Sequence, residues 1–372
     1  MQLDLPPPRP ATDSIGNAGE GRYLRNAWYV AMWAEQLRPG ALEPRTILNE
    51  PIVFWRAEDG RIVAVTDRCP HRFAPLHRGR LLEGDRLQCG YHGLEFNRNG
   101  ACSRNPYGNH HIPPAAKLRS YPAVEKHSLI WVWMGQGEPD LSAIPDFSVL
   151  DGVPEDHIAK RDVIRVKAHY ELVTDNLLDL SHTSFLHDGI LGNAEMVESE
   201  ITVEQDGDSV TVGRASEGKE IPGLFAILVP YELKRVDKWN TIRWTPPGNM
   251  LLRSGVCPPG AKPQTGTGYF GIHLLTPETD RTTIYHFTAV RWNVLTQDAA
   301  LNAEIKETLT RTRRFAFEEQ DAPMIEDQQR MIDASPVALR PALLAIDVGP
   351  VRYKRILDRL IDAEQATAEV TG

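Results

Sequence analysis

The chain is poor in cysteine, has no long apolar run and carries no excess of positive charge; each shortage removes a class of function. Only four of 372 residues are cysteine. Two of these belong to the motif described below, and Cys102 and Cys257 are left over. Nothing supports a disulfide between them, and free cysteine is among the most buried residue types, so inert packing in a reducing cytoplasm is expected. The most apolar stretch, Leu129 to Met134, is far below the ~20 residues needed to cross a bilayer. No basic start with an apolar run behind it suggests a secretory signal, so no membrane partner is expected. The net charge of -9 argues against a nucleic-acid partner held through phosphates.

What the chain does have is length and two spaced clusters of metal-binding residues. At 372 residues it can bury two cores. Cys69-Pro70-His71 is followed, after seventeen residues, by Cys89-Gly90-Tyr91-His92. Each of these claws offers one thiolate and one imidazole, the donor set of a Rieske-type [2Fe-2S] centre, in which two histidines replace two cysteines on one iron. A closed zinc site uses the same residue types, but zinc fingers usually pair Cys with Cys and His with His. His77 lies between the claws, fits neither and reads as a surface residue.

Residues 1 to 21, with Pro6-Pro7-Pro8 and Pro10, read as a mobile arm with little to bury. A region of short strands follows, to about residue 140. Ile52 to Trp55 and Arg61 to Val65 flank an Ala57-Glu58-Asp59-Gly60 turn, and Leu129 to Trp133 closes the region as a buried strand. The claws then sit on loops at hairpin ends. Gly135 to Pro145 reads as a linker, so 22–140 and 141–372 are the expected domains. The second mixes strands, at Ile201 to Val212, Met250 to Val256, Phe270 to Leu275 and Thr282 to Val290, with helices from Glu171 to about Phe185, from Ala299 to about Phe317 and from Pro341 to Thr367. The fold class is α+β: a small all-β domain, then a larger α+β domain with an antiparallel sheet flanked by helices. Thr276 to Asp280 is expected to join the last two strands. Gly266-Thr267-Gly268-Tyr269-Phe270-Gly271 matches the dinucleotide pattern letter for letter, but it precedes a strand-like run rather than a helix. Direct NAD(P) binding is therefore rejected.

The helix beginning near Glu171 carries Asp175, Asn176, Asp179 and His182, with His187 beyond it. At 100° per residue Asp175, Asp179 and His182 share one face within about 60°, whereas His187 lies about 120° away. The two histidines can share a metal only if the helix ends or bulges between them. Residues 168 to 213 hold ten acidic side chains and no Lys or Arg. Carboxylates in an apolar-looking helix need a cation or strong donors nearby; a divalent iron would meet that need, and a solvated acidic helix is the alternative. Two histidines and a carboxylate with open positions form the facial triad of mononuclear oxygenases. The carboxylate is Asp179, unless Asp179 instead accepts the His182 ring N–H, or it is Asp321, which on its own could be only a helix cap before Pro323.

Cys69-x-His71, Cys89-x-x-His92 and Asp175-Asn176-Leu177-Leu178-Asp179-Leu180-Ser181-His182 with His187 resemble the Rieske non-haem iron oxygenases. Arg25 to Ala31, Cys69 to Pro75, Leu275 to Thr279 and Ile356 to Leu360 resemble the vanillate O-demethylase and dicamba monooxygenase branch of that family, over about residues 22 to 367. The resemblance implies Cys69, His71, Cys89 and His92 as cluster ligands, and His182, His187 and Asp321 as ligands of a mononuclear Fe(II). It implies that Asp179 bridges the cluster of one subunit to His182 of its neighbour in a homotrimer, because the two centres of one subunit lie too far apart. It further implies O2 as co-substrate, a flavin/iron-sulfur reductase or ferredoxin delivering electrons from NADH, and demethylation of a methoxylated aromatic acid to a phenol and formaldehyde. For the acid group, Arg253 and His273 are the substrate-binding candidates, although Arg253 could equally face outward from its strand. Ring hydroxylation and pure electron carriage are the rival functions.

Overall fold

The computed structural model describes residues 21–229 and 232–371; most of the expected N-terminal arm lies outside them. Among the described residues no helix is long and apolar enough to cross a membrane.

The N-terminal part is built from short antiparallel strands. Trp28–Trp33, Leu129–Trp133 and Ala123–Lys126 form one sheet, and Glu43–Ile47, Glu50–Arg56, Ile62–Thr66 and Ser120–Tyr121 a second. A third, of Arg80–Leu82, Arg86–Gln88, Glu95–Phe96 and Cys102–Arg104, carries the second claw between its Arg86–Gln88 and Glu95–Phe96 strands, and the first claw lies between Thr66 of the second sheet and Arg80. The β-branched and aromatic runs form strands as expected, because Ile52, Phe54, Val53 and Trp55 are all buried, with alternate residues feeding two different cores. Cys257 is buried and Cys102 half-buried, and both are free thiols. His77 is not a plain surface residue: its Nδ1 lies 2.5 Å from the buried Asp67 carboxylate.

A seven-stranded antiparallel sheet dominates the rest, in the order Asp162–Val166, Thr282–Trp292, Thr267–Thr279, Asn249–Cys257, Arg235–Thr245, Ser209–Glu220, Glu200–Asp206. Helices cover one face, where Tyr170, Leu178, Phe317, Tyr353 and Leu357 pack on Val212, Trp244 and Leu275. Trp28, Trp33, Phe147 and Leu150 cover Ile272 and Leu274 on the other.

Four sequence expectations need correction. The run Ile201 to Val212 is two strands of a hairpin, turned at Gly207 with φ +56°, which a glycine adopts at little cost. The strands from Thr267 and to Trp292 run on through Pro277, leaving a turn of only Asp280 and Arg281. The last helix is Val348–Thr371, since Pro350, lacking an N–H, is tolerated only in a first turn. The Arg235–Thr245 strand was not foreseen, because two of its inward residues, Lys238 and Asn240, are polar. The glycine triplet lies on the Thr267–Thr279 strand and its approach, where a Cβ on Gly268 would meet the Ser254 carbonyl oxygen at 2.0 Å. These glycines serve close strand packing, not a phosphate.

Candidate metal centres

The two claws are the same turn made twice. Cys69 N–H donates to the Ala74 carbonyl at 2.9 Å and Phe73 N–H to the Cys69 carbonyl at 2.9 Å; Cys89 N–H donates to Leu94 at 2.8 Å and Gly93 N–H to Cys89 at 3.0 Å. Phe73 and Gly93 hold the matching left-handed positions, φ +58° and +71°. The turns bury both thiols and bring the His71 and His92 rings to 4.6 Å between centroids. Burial, and then the neighbouring Cys89, push the Cys69 thiol up to about 11. Two buried thiols side by side with two imidazoles at the surface are a donor set that ferric iron would satisfy.

The second centre forms where the expected helix stops. Tyr170–Leu178 is helical, not the whole run to Phe185. Asp179 Oδ1 accepts the Ser181 N–H at 2.8 Å and also the Ser181 hydroxyl, a local pairing that competes with the helical ladder. The chain then makes a 3-10 turn, His182–Ser184. Ending the helix there brings His182 and His187 together, with ring centroids 5.1 Å apart.

The third member is Asp321, not Asp179. One donor atom from each of His182, His187 and Asp321 lies within 4.8 Å of the others. Asp321 Oδ1 is 3.1 Å from His187 Nε2 and 3.6 Å from His182 Nε2. Metal–ligand bonds of about 2.1 Å at right angles set neighbouring donors about 3 Å apart, so the trio fits one ion. Asp321 is not a helix cap, since its side chain caps nothing. It ends a π-helical turn, Ala316–Asp321, between the helices Ala299–Phe315 and Ala322–Asp333. The expected helix end near Phe317 is thus a widened turn inside a longer helical run, a feature common at functional sites. Glu318, a rival carboxylate, is held by Arg314 at 2.6 Å, and Glu319 is exposed.

Each imidazole is oriented by its other nitrogen. His182 Nδ1 contacts the Asp179 carbonyl oxygen, not its carboxylate, and His187 Nδ1 lies 2.9 Å from Gln320 Oε1. Both Nε2 atoms are left for the metal. The His187 Nε2 is buried and, among the described residues, makes no aligned hydrogen bond; it faces only the Asp321 oxygen at 3.1 Å, as expected of an atom reserved for an ion. Asn176 Nδ2 donates to Asp321 Oδ1 at 3.2 Å. Burial lowers the His182 pKa, whereas for His187 the Asp321 carboxylate outweighs burial and raises it.

The acidic run has cationic and donor partners that the local sequence does not show. Lys354 lies 2.9 Å from Glu171, and burial pushes Asp175 up to about 7 while Tyr353 donates to it at 2.8 Å. Arg214, the first basic residue after the run, donates to the Leu180 carbonyl at 2.6 Å and to Ser184 Oγ at 3.1 Å, clamping the loop that bears His182. His273 is buried, with Nδ1 2.5 Å from the Tyr285 hydroxyl and its ring against Phe317 of the π turn. Arg253 is exposed and lies over the Trp292 ring, so the outward reading of that strand position holds.

Sequence reasoning missed Gln320, although it adjoins Asp321. It also donates through Nε2 to the Leu186 carbonyl at 2.7 Å, bracing the His187 loop. Gln320→Leu removes both bonds, and iron affinity is expected to fall about 10- to 100-fold. Chelator competition followed by metal analysis checks this; the cluster's visible absorbance should not change.

Comparison with known proteins agrees with both centres. Residues 27–122 match the Rieske [2Fe-2S] domain, and residues 166–363 the vanillate O-demethylase oxygenase C-terminal domain. The chain is 36% identical to the toluene-4-sulfonate monooxygenase iron-sulfur subunit TsaM1 of Comamonas testosteroni, covering 92% of this chain and 98% of that one. It is 35% identical to the dicamba O-demethylase oxygenase component of Stenotrophomonas maltophilia, covering 92% and 99%. Crystal structures of dicamba monooxygenase superpose with a TM-score of 0.83 when bound to 3,6-dichlorosalicylic acid, at 34% identity. With non-haem iron and dicamba the TM-score is 0.72, at 33% identity. Each alignment covers 93% of this chain and 99% of the other.

Proposed function

This chain belongs to the Rieske oxygenase family, and from that premise we propose that it removes the methyl group of a methoxylated aromatic acid. It is the oxygenase component of a Rieske aromatic oxygenase, with a [2Fe-2S] cluster and a mononuclear non-haem iron at His182, His187 and Asp321. An electron carrier alone would have no use for the second metal trio, so that rival is set aside. The observation that supports demethylation is likeness to an O-demethylase over almost the full length of both chains.

When bound, the two iron centres supply electron transfer and O2 activation. In the overall reaction one oxygen atom enters a methoxy C–H bond and the other leaves as water, with two electrons from NADH and two protons. The hemiacetal product then splits into a phenol and formaldehyde. The chain's own groups position the ligands. Gln320 and Asn176 fix the ligand geometry, Arg214 pins the loop, and Phe317 of the π turn packs against Tyr285 and His273. His273, whose buried Nε2 has no hydrogen-bond partner among the described residues, is in this reading a donor for a polar group of the substrate.

Cys69, His71, Cys89 and His92 hold the cluster in this reading, and Asp179 links it to a neighbouring subunit of a homotrimer. Two features support that role. None of the described residues donates to Asp179 Oδ2, and Phe73 and Tyr91, flanking the claws, are 71% and 66% exposed, as surfaces awaiting a partner would be.

A panel of methoxybenzoates with a surrogate reductase tests the function. One formaldehyde per NADH is expected. A cis-diol would transfer the assignment to ring hydroxylation. The likeness to a toluene-4-sulfonate monooxygenase favours a second reading, and benzylic alcohol from a methylated arene acid without formaldehyde release from any methoxybenzoate would establish it.

A further inference from the structure

Lys238 is 6% exposed on the helix-covered face of the sheet, and among the described residues the only charge acting on it is that of Arg214, not a carboxylate. Lysine is almost never fully buried unless paired, and an unpaired buried charge is costly. Its nearest acceptor is the amide of Asn240, two residues on. With that amide turned so that its nitrogen donates to the Trp239 carbonyl at 3.0 Å, its oxygen accepts from Nζ at 2.8 Å. On the other side Nζ stands over the Phe225 ring, 5.1 Å from its centroid, and Phe225 stacks on Tyr269 at 5.7 Å. A neutral amide and a ring face partly solvate an ammonium; they do not neutralise it.

The position ties Lys238 to the iron loop. Lys238 pairs with Ser216 on the strand that carries Arg214, and Arg214 lies opposite Asn240. That same Arg214 holds Leu180 and Ser184 beside His182. Two buried cations therefore share this wall. Arg214 donates to carbonyls and hydroxyls and has the Asp179 carboxylate in its surroundings, whereas no carboxylate acts on Lys238, so the unmet charge is that of Lys238. A groove of about 420 Å³ lies outside the segment bearing Phe225, along Gly223, Leu224 and Ile227; Lys238 and Phe225 do not line it.

We propose that Lys238 recognises the acid group of the aromatic substrate, its ammonium pairing with a carboxylate or sulfonate. This rests on the aromatic-acid reading above and names the residue that selects for the acid. Burial first, and the Arg214 charge second, push the Lys238 ammonium down to about 7. The ligand-free site is therefore nearly half neutral at pH 7, and an arriving anion draws a proton onto Nζ. The other ionisable groups around it are Arg214 on the neighbouring strand, Tyr269 beyond Phe225 and Arg313 beyond Tyr269; burial raises the Tyr269 pKa and lowers those of the two guanidinium groups from far above neutrality. Residues 223 to 229 contribute no ionisable side chain.

The test is equilibrium binding to the full chain with both metal centres loaded, by calorimetry, using 4-methoxybenzoate, 4-toluenesulfonate and the uncharged methyl 4-methoxybenzoate. The wild type is expected to bind at least one anion ten-fold or more tightly than the ester. Lys238→Met should lose at least ten-fold for that anion, stay within two-fold for the ester, and melt no lower than the wild type. Above pH 7 wild-type anion affinity should fall towards ten-fold per pH unit with proton uptake, and the Met variant should show neither. Equal anion affinity in Lys238→Met and wild type, or no preference for anions in the wild type, overturns the proposal. If the charge preference behaves as expected but no formaldehyde forms, Lys238 stands and the demethylase reading falls.

Discussion

Asp321→Ala is expected to leave two irons per chain where the wild type holds three, with the cluster spectrum intact and substrate-dependent turnover reduced at least 1000-fold. The reasoning is geometric. Asp321 Oδ1 is 3.1 and 3.6 Å from the two imidazole nitrogens, and without it only two neutral donors face a divalent cation in a site where His187 and Asp321 are both buried. Both claw cysteines belong to a separate hydrophobic core with Val53, Trp55, Leu76 and Phe96, so the cluster should assemble normally. Alanine is tolerated in a helical turn and removes no cap, because the carboxylate caps nothing. Metal analysis with electron paramagnetic resonance decides the matter: three irons in the variant would mean that another group is the third ligand.

Asp179→Asn is expected to keep all three irons and an unchanged cluster signal, yet to slow substrate-triggered oxidation of the reduced cluster at least 100-fold. Asparagine retains the oxygen that accepts the Ser181 N–H at 2.8 Å, so the turn that ends the helix and positions His182 should persist. His182 contacts the Asp179 main-chain carbonyl, which the substitution does not touch. What changes is the charge on the oxygen that no described residue engages, the one assigned to a neighbouring subunit's imidazole. Stopped-flow bleaching of the cluster after substrate addition reports this step, and sedimentation shows whether the oligomer survives. An unimpaired rate would remove Asp179 from the electron path and leave it only the structural turn.

Legibility in the sequence followed the range of the interactions concerned. The claws could be read because all four donors fall within twenty-four residues, Cys69 to His92, and the spacing itself carries the chemistry. His182 and His187 were visible for the same reason. The third ligand was not fixed by residue patterns, which left Asp179 and Asp321 both open; only the resemblance favoured Asp321. The choice depends on a contact between His182 and Asp321, 139 positions apart, and on a π turn that no periodicity signals. Gln320 and Arg214 escaped notice because each acts on a residue more than thirty positions away.

The Arg235–Thr245 strand shows the limit from the other side. Alternation of apolar and polar residues identifies a strand whose buried face is apolar. Here Lys238 and Asn240 point inward, so the pattern failed where the sheet wall turns polar. Sequence alone determined that this chain carries a [2Fe-2S] centre on hairpin loops and a histidine pair for a second metal, because those donors are close in the chain. Tertiary structure alone decided which carboxylate completes the trio, which glutamine and arginine hold it, and that a lysine lies buried without a counter-charge, because contact and burial arise only when distant segments pack.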